Sequence, residues 1–232
     1  MARPTAEDRR RDYLEIGTEI ATSFGAAASA RATVDALAEV KVAEVADRAG
    51  VTKGAIYHVW PSQEAYRKDL LARLLEQSRQ TGVRRMRELL ATTEVDDDAR
   101  RLLQRHARFV YDQQKDDPAF FARFSFFLYA ADPDVRNLLA RGDDNVVDDF
   151  APHVELYLEL VGRRLREPFT MELLLRSVSA LFQGLCLRYR TSPDLVEQPP
   201  GEPTLYGRGL EALVEHFSEP VPKDAPRGAP PR

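Results

Sequence analysis

The sequence holds a single cysteine, Cys186, in 232 residues. One thiol cannot build an internal disulfide framework, nor a cysteine-rich zinc site. Long apolar runs are also missing. No stretch approaches the eighteen residues that a spanning helix needs, so no membrane partner is expected. The N-terminus, MARPTAEDRRRDYLEI, is charged but has no apolar core, so no secretory signal is expected and the chain reads as cytoplasmic. A strong excess of positive charge is absent too. Net charge is −4, and residues 1–90 carry 15 Lys+Arg against 13 Asp+Glu, leaving 18 against 24 for the rest. That imbalance is no electrostatic footprint for nucleic acid, so phosphate binding would have to come from local placement of charge.

Catalytic groupings are scarce as well. His58, His106, His153 and His216 are far apart, and none has the spacing of a helical metal pair. There is no glycine-rich phosphate loop. Asp116-Asp117, Asp143-Asp144 and Asp148-Asp149 read as solvated helix ends, and Cys186 on an apolar helix reads as an inert thiol. Neither an enzyme nor a cofactor or metal site is expected.

What is present is helical periodicity. Apolar residues recur three and four apart in nearly every segment, and period-two alternation is scarce. The first helix is expected to start at Thr5, with Glu7 and Asp8 in its first turn, and to stop at Gly25. The Ala/Ser-rich segment 26–40 reads as a loop with one short helix after Thr33. Ser62 opens a long amphipathic helix over 62–90. Helices follow at 99–114, 118–130, 133–140, 144–166, 170–191 and 204–217, with a proline-rich connector at 192–203. Five prolines in the last fourteen residues predict a disordered tail.

Residues 42–59 are the informative stretch. Val42, Val45, Ala46 and Ala49 share one face of a two-turn helix, and Gly50 can end it in a left-handed conformation. Thr52 can cap a second helix whose buried side is Ile56 and Val59. Two short helices joined by a glycine turn make a helix-turn-helix, and equally a tight corner inside any helical fold. The outer positions of the second helix are Thr52, Lys53, Gly54, Ala55, Tyr57 and His58. They are small or polar, which suits entry into a major groove about 12 Å wide.

The stretch VAEVADRAGVTKGAIYHVWPSQEAYRKDLL resembles the signature of TetR-family transcriptional repressors. Ala46, Gly50-Val51-Thr52, Ile56-Tyr57 and Pro61-Ser62-x-Glu64-Ala65 carry the resemblance. It implies an all-α fold: a three-helix helix-turn-helix head over 1–61, a helical effector-binding and dimerisation body over 62–218, and a tail over 219–232. It also implies a homodimer on a palindromic double-stranded operator, controlled by a small-molecule effector. Thr52 and Tyr57 would bond phosphate, Lys53, Gly54 and Ala55 would face base edges, and His58 could do either. Lys41 stands where a capping Thr is common, and can reach phosphate only as a point charge. Gln63 stands where Lys is common. Val59 and Trp60 replace the usual His or Tyr and Phe, and Ala55 a frequent Thr. Arg3, Arg9, Arg10 and Arg11 read either as a basic arm or as a solvated helix end. These departures keep a second reading open, a helical small-molecule binding protein that has lost specific DNA binding.

In the body, Phe109, Phe120, Phe124, Phe127, Tyr157, Phe182, Gln183 and Cys186 are the expected lining of an effector pocket. Leu181, Leu185, Leu210, Leu213 and Phe217 are the expected dimer interface, by resemblance a four-helix seam built from 170–191 and 204–217 of each chain. For both sets, ordinary core packing is the competing expectation.

Overall fold

The structure is a computed structural model that describes residues 5–27, 40–91, 99–117, 120–121, 124, 126–199 and 202–221. Among these, nine α-helices, one 3-10 turn and two short strands follow one another. They are α1 (Ala6–Ala27), α2 (Val42–Arg48), α3 (Lys53–Tyr57), α4 (Gln63–Ala91), α5 (Ala99–Gln114), the 3-10 turn Phe126–Tyr129, α6 (Pro133–Leu160), β1 (Arg163–Leu165), α7 (Met171–Thr191), α8 (Pro193–Val196), α9 (Leu205–Phe217) and β2 (Ser218–Pro220). No helix among the described residues is long and apolar enough to cross a membrane.

The chain forms two compact units, residues 1–82 with 116–144, and residues 83–115 with 145–232. The first has one core. Tyr13, Leu14 and Ile20 of α1 pack with Val42, Val45 and Ala46 of α2, Ile56 of α3, and Tyr66, Leu70, Leu71 and Leu74 of α4. Phe126, Val135 and Leu139 close the same cluster. A charged tie lies beside it. Lys68 of α4 reaches Asp134 at 2.8 Å and Asp132 at 3.0 Å, just before and inside the first turn of α6. These bonds raise the lysine's pKa and lower that of Asp132.

In the second unit α9 packs on α5 and α7. Tyr206, Leu210, Val214 and Phe217 supply its buried side, and Thr204 caps it by accepting from the Gly207 N–H at 2.9 Å.

Four expectations need correction. Helix α1 continues past Gly25 to Ala27. The helices expected at 133–140 and 144–166 are one, α6, which runs through Gly142. A glycine in mid-helix costs about 1 kcal/mol, and the Leu75 side chain lies against this position. Helix α6 also stops six residues early. Gly162 takes a left-handed φ of 67°, and the chain turns into β1. There Arg163 pairs antiparallel with Pro220 and Arg164 with Glu219, two residues assigned to the tail. The connector at 192–203 contains the short α8, whose Val196 is buried. The short helix expected after Thr33 and the tail from residue 222 lie outside the described residues, as does part of the helix expected at 118–130.

Candidate nucleic-acid interface

The interface is assembled from caps and one turn. Helix α2 ends at Arg48, Ala49 is its C-cap, and Gly50 follows with φ at 66°. That angle costs an L-residue with a side chain roughly 1–2 kcal/mol. The Val51 N–H then donates to the Ala46 carbonyl at 3.0 Å, folding the chain back. Thr52 is extended and its hydroxyl accepts from the Ala55 N–H at 3.3 Å, so it caps α3 as its position predicts. Ile56 is fully buried and anchors α3 in the head core.

The remaining positions of α3 turn outward. Thr52, Lys53, Gly54, Tyr57 and His58 are exposed, and Ala55 is half-buried. Tyr57 keeps 44% of its surface open. Lys41, just before α2, is exposed too. The structure thus brings together, at the ends and outer face of one helix-turn-helix, the seven residues singled out in sequence. The face offers two ammonium groups, two hydroxyls, an imidazole and little bulk. Those are donors for phosphate and base edges.

The N-terminal arginines divide. Arg10 pairs with Asp69 and lies over the Trp60 ring, 5.5 Å from its centre. Arg11 is held by Asp8 at 3.1 Å. Both are engaged in surface ion pairs. Arg9 is exposed, and Arg3 lies outside the described residues.

Three groups hold this head in ways not expected from sequence, although Trp60 and Gln63 stood out there as departures from the family pattern. Trp60, 3% exposed, donates its indole N–H to the Asp69 carboxylate at 2.5 Å. The Tyr66 hydroxyl donates to the Tyr13 carbonyl at 2.8 Å. Burial raises that phenol's pKa. Gln63 accepts from the Val42 N–H at 3.4 Å. A polar atom on an aromatic ring that must be buried is the signal for the first two. An uncapped helix start is the signal for the third.

The expected pocket residues fall into both units. Phe120, Phe124 and Phe127 belong to the first, where Phe124 contacts both neighbours with ring centres 4.9 and 5.5 Å apart. Phe109, Tyr157, Phe182, Gln183 and Cys186 belong to the second. There Phe182 and Cys186 are buried, and Phe109 is exposed. Phe182 meets Tyr206 edge to face at 5.2 Å, and Tyr206 stacks with Tyr111 at 6.3 Å.

The expected interface residues also serve the protomer itself. Leu210 and Phe217 are buried in the second unit, and Leu181 lies against Gly209 of the same chain. Leu185 and Leu213 are half-buried. The open face of α7 is a different one, Leu173, Ala180, Gly184 and Leu187.

Residues 26–66 match the family model of bacterial regulatory proteins, tetR family. No curated protein matches the chain. Among solved structures it is similar to a protein from Mesorhizobium loti MAFF303099 named as a TetR-family transcriptional regulator, with 14% identity, a TM-score of 0.63, and 93% of this chain and 97% of that one covered. It is similar to reduced NemR of E. coli, with 19% identity, a TM-score of 0.56, and 90% and 95% covered. It is also similar to a transcriptional regulator from Saccharomonospora viridis in complex with choline, with 18% identity, a TM-score of 0.56, and 92% and 99% covered.

Proposed function

We propose that this chain, whose residues 26–66 match the tetR family of bacterial regulatory proteins and whose fold is that of a solved TetR-family regulator, is a repressor of that family, a homodimer on palindromic operator DNA whose affinity a small molecule in the body controls. The observation that carries this reading is the outer face of α3. The helix is capped, anchored by Ile56, and offers Lys53, Tyr57 and His58 to solvent. In this reading Thr52 and Tyr57 bond phosphate, Lys53 pairs with guanine acceptors, and Gly54 and Ala55 let the backbone approach the bases. Lys41 adds a point charge. The activity is binding alone.

The dimer is the finer part of the proposal. Leu173 and Leu187 on α7 are 48% and 43% exposed. With Ala180 and Gly184 between them they form one stripe at helical spacing, and space lies open over Gly184. A second copy of α7 lies on this stripe in our reading, with Leu185 and Leu213 at its margin.

The effector is supported by one orphaned group. The Tyr111 hydroxyl is buried and has no hydrogen-bond partner among the described residues. Such a donor costs about 1–3 kcal/mol. A ligand oxygen or nitrogen would recover it, among Tyr111, Phe182, Cys186 and Tyr206. Occupancy then shifts the population between two head spacings by the ligand's differential affinity for them.

The test is selection from a random pool of duplexes across a salt series. Recovery of a palindrome by the wild type, with one position of each half-site relaxed on Lys53→Ala and the whole site weakened evenly on Tyr57→Phe, is the expected result. A well-folded dimer that retains nothing specific at low salt would sink the DNA reading in favour of a small-molecule binding protein. Gly184→Arg is expected to give monomers in sedimentation.

A further inference from the structure

Helix α2 has no cap of its own. Lys41 occupies its N-cap position in an extended conformation, and its side chain makes no bond to the helix start. It could not do so, since an ammonium has donors and no acceptor, whereas the orphaned groups at a helix start are N–H donors. The acceptor comes from another helix. The Gln63 carboxamide oxygen takes the Val42 N–H at 3.4 Å, across twenty-one positions of sequence. Gln63 is free to do this because Ser62 serves α4, accepting from the Ala65 N–H at 3.1 Å.

We infer that Gln63 is a positioning residue for DNA reading, capping α2 from the first turn of α4 in place of the cap that Lys41 cannot supply. The inference rests on the DNA-binding reading above. Its physical sense lies in how little holds α3 in place. Helix α3 has five residues, and α2, which carries it through the Gly50 turn, has seven. Fraying the first turn of α2 would loosen Val42 and Val45, both fully within the head core, and tilt the α2–α3 pair. A lysine at 63 would add a charge for phosphate but remove the acceptor. Lys41 and Gln63 are therefore a matched pair, with the charge moved to the start of α2 and the cap moved to α4.

The test uses the full chain and two readouts, the exchange protection of the Val42 amide and the dissociation constant for the duplex that the wild type retains. Gln63→Met keeps length and loses the acceptor. It is expected to speed Val42 exchange and weaken the duplex about fivefold each, the size of one lost cap, with the salt slope unchanged. Threonine at an N-cap accepts from the N3 amide, here that of Glu44, as Thr52 does from Ala55, and so holds the first turn of α2 by itself. In the Lys41→Thr chain the same Gln63→Met change is expected to alter duplex affinity by a factor near one, while the Val42 amide still loses its protection. This double-mutant cycle removes the effect of the lost lysine charge itself. A duplex-binding chain whose Val42 exchange ignores Gln63→Met overturns the positioning role alone. Equal losses of affinity with and without Lys41→Thr also overturn it, since they would mark a direct phosphate contact. A wild type that retains no duplex overturns the DNA reading, and the positioning role with it, whatever Val42 does.

Discussion

The Tyr66 hydroxyl occupies the space that a side chain on Gly17 would need. A Cβ added at Gly17 would overlap this oxygen and the ring carbon that bears it. The same hydroxyl donates to the Tyr13 carbonyl, so α1 and α4 touch through a glycine and a buried phenol. Gly17→Ala is expected to destabilise the head by about 1–3 kcal/mol, the range for overpacking a core. Tyr66→Phe alone should cost about 1 kcal/mol for the lost hydrogen bond. Combined, the two should cost less than their sum, because removing the oxygen makes room for the methyl. Urea melts of the four chains check this. Strict additivity would mean that the two positions do not share that space.

Trp60 and Asp69 close the other side of the head. Asp69 accepts from the buried indole N–H and also pairs with Arg10. Asp69→Ala would strand the indole donor and is expected to cost about 2 kcal/mol. Arg10→Ala removes a half-exposed pair and should cost under about 1 kcal/mol. Trp60 is the chain's one tryptophan. Its emission therefore reports the first compact unit, and should redden at lower urea in Asp69→Ala than in Arg10→Ala. The reverse order would assign the tie to the ion pair.

How legible these features were in sequence follows from their range. Thr5, Thr52 and Ser62 cap helices that begin beside them. Gly50 turns left-handed where two short apolar stretches had to meet. Such local chemistry can be read residue by residue. The Arg10–Asp69 pair spans 59 positions, and Gln63 reaches Val42 across 21. Nothing in either local pattern announces those meetings. The strands at 163–165 and 218–220 are three residues each, too short to show a period. Phe120 and Phe182, expected to line a pocket or to pack in a core, are both buried. Aromatic spacing carried no information on which compact unit each would join.

The two lysines of the interface should fail differently. In the proposed reading, Lys53→Ala removes a base-edge donor. It is expected to weaken operator binding by about 1–3 kcal/mol per head and relax the preference at one position of each half-site. In the same reading, Lys41→Ala removes a phosphate contact. It should weaken all duplexes evenly and reduce the slope of log K against log salt by about one per head. Selection and salt titration on both variants separate the roles. A uniform loss for Lys53→Ala would move that residue to the phosphate backbone.

His106 gives the second unit a pH limit of its own. The residue is half-buried on α5, and its Nδ1 is buried with no partner among the described residues. Burial disfavours the charged imidazole and lowers its pKa to about 4. An unfolded chain protonates this histidine near pH 6.5. Between about 6.5 and about 4 the unfolded state therefore binds a proton that the fold refuses. Stability should fall as pH falls through that window, with no further loss from this group below it. His106→Leu removes both the titration and the orphaned nitrogen. Melts at pH 7.5 and 4.5 should show the variant gaining on the wild type by roughly 2 kcal/mol at the lower pH. A constant gap at both pH values would mean that the imidazole takes up its proton inside the folded protein, and that its burial costs the charged form little.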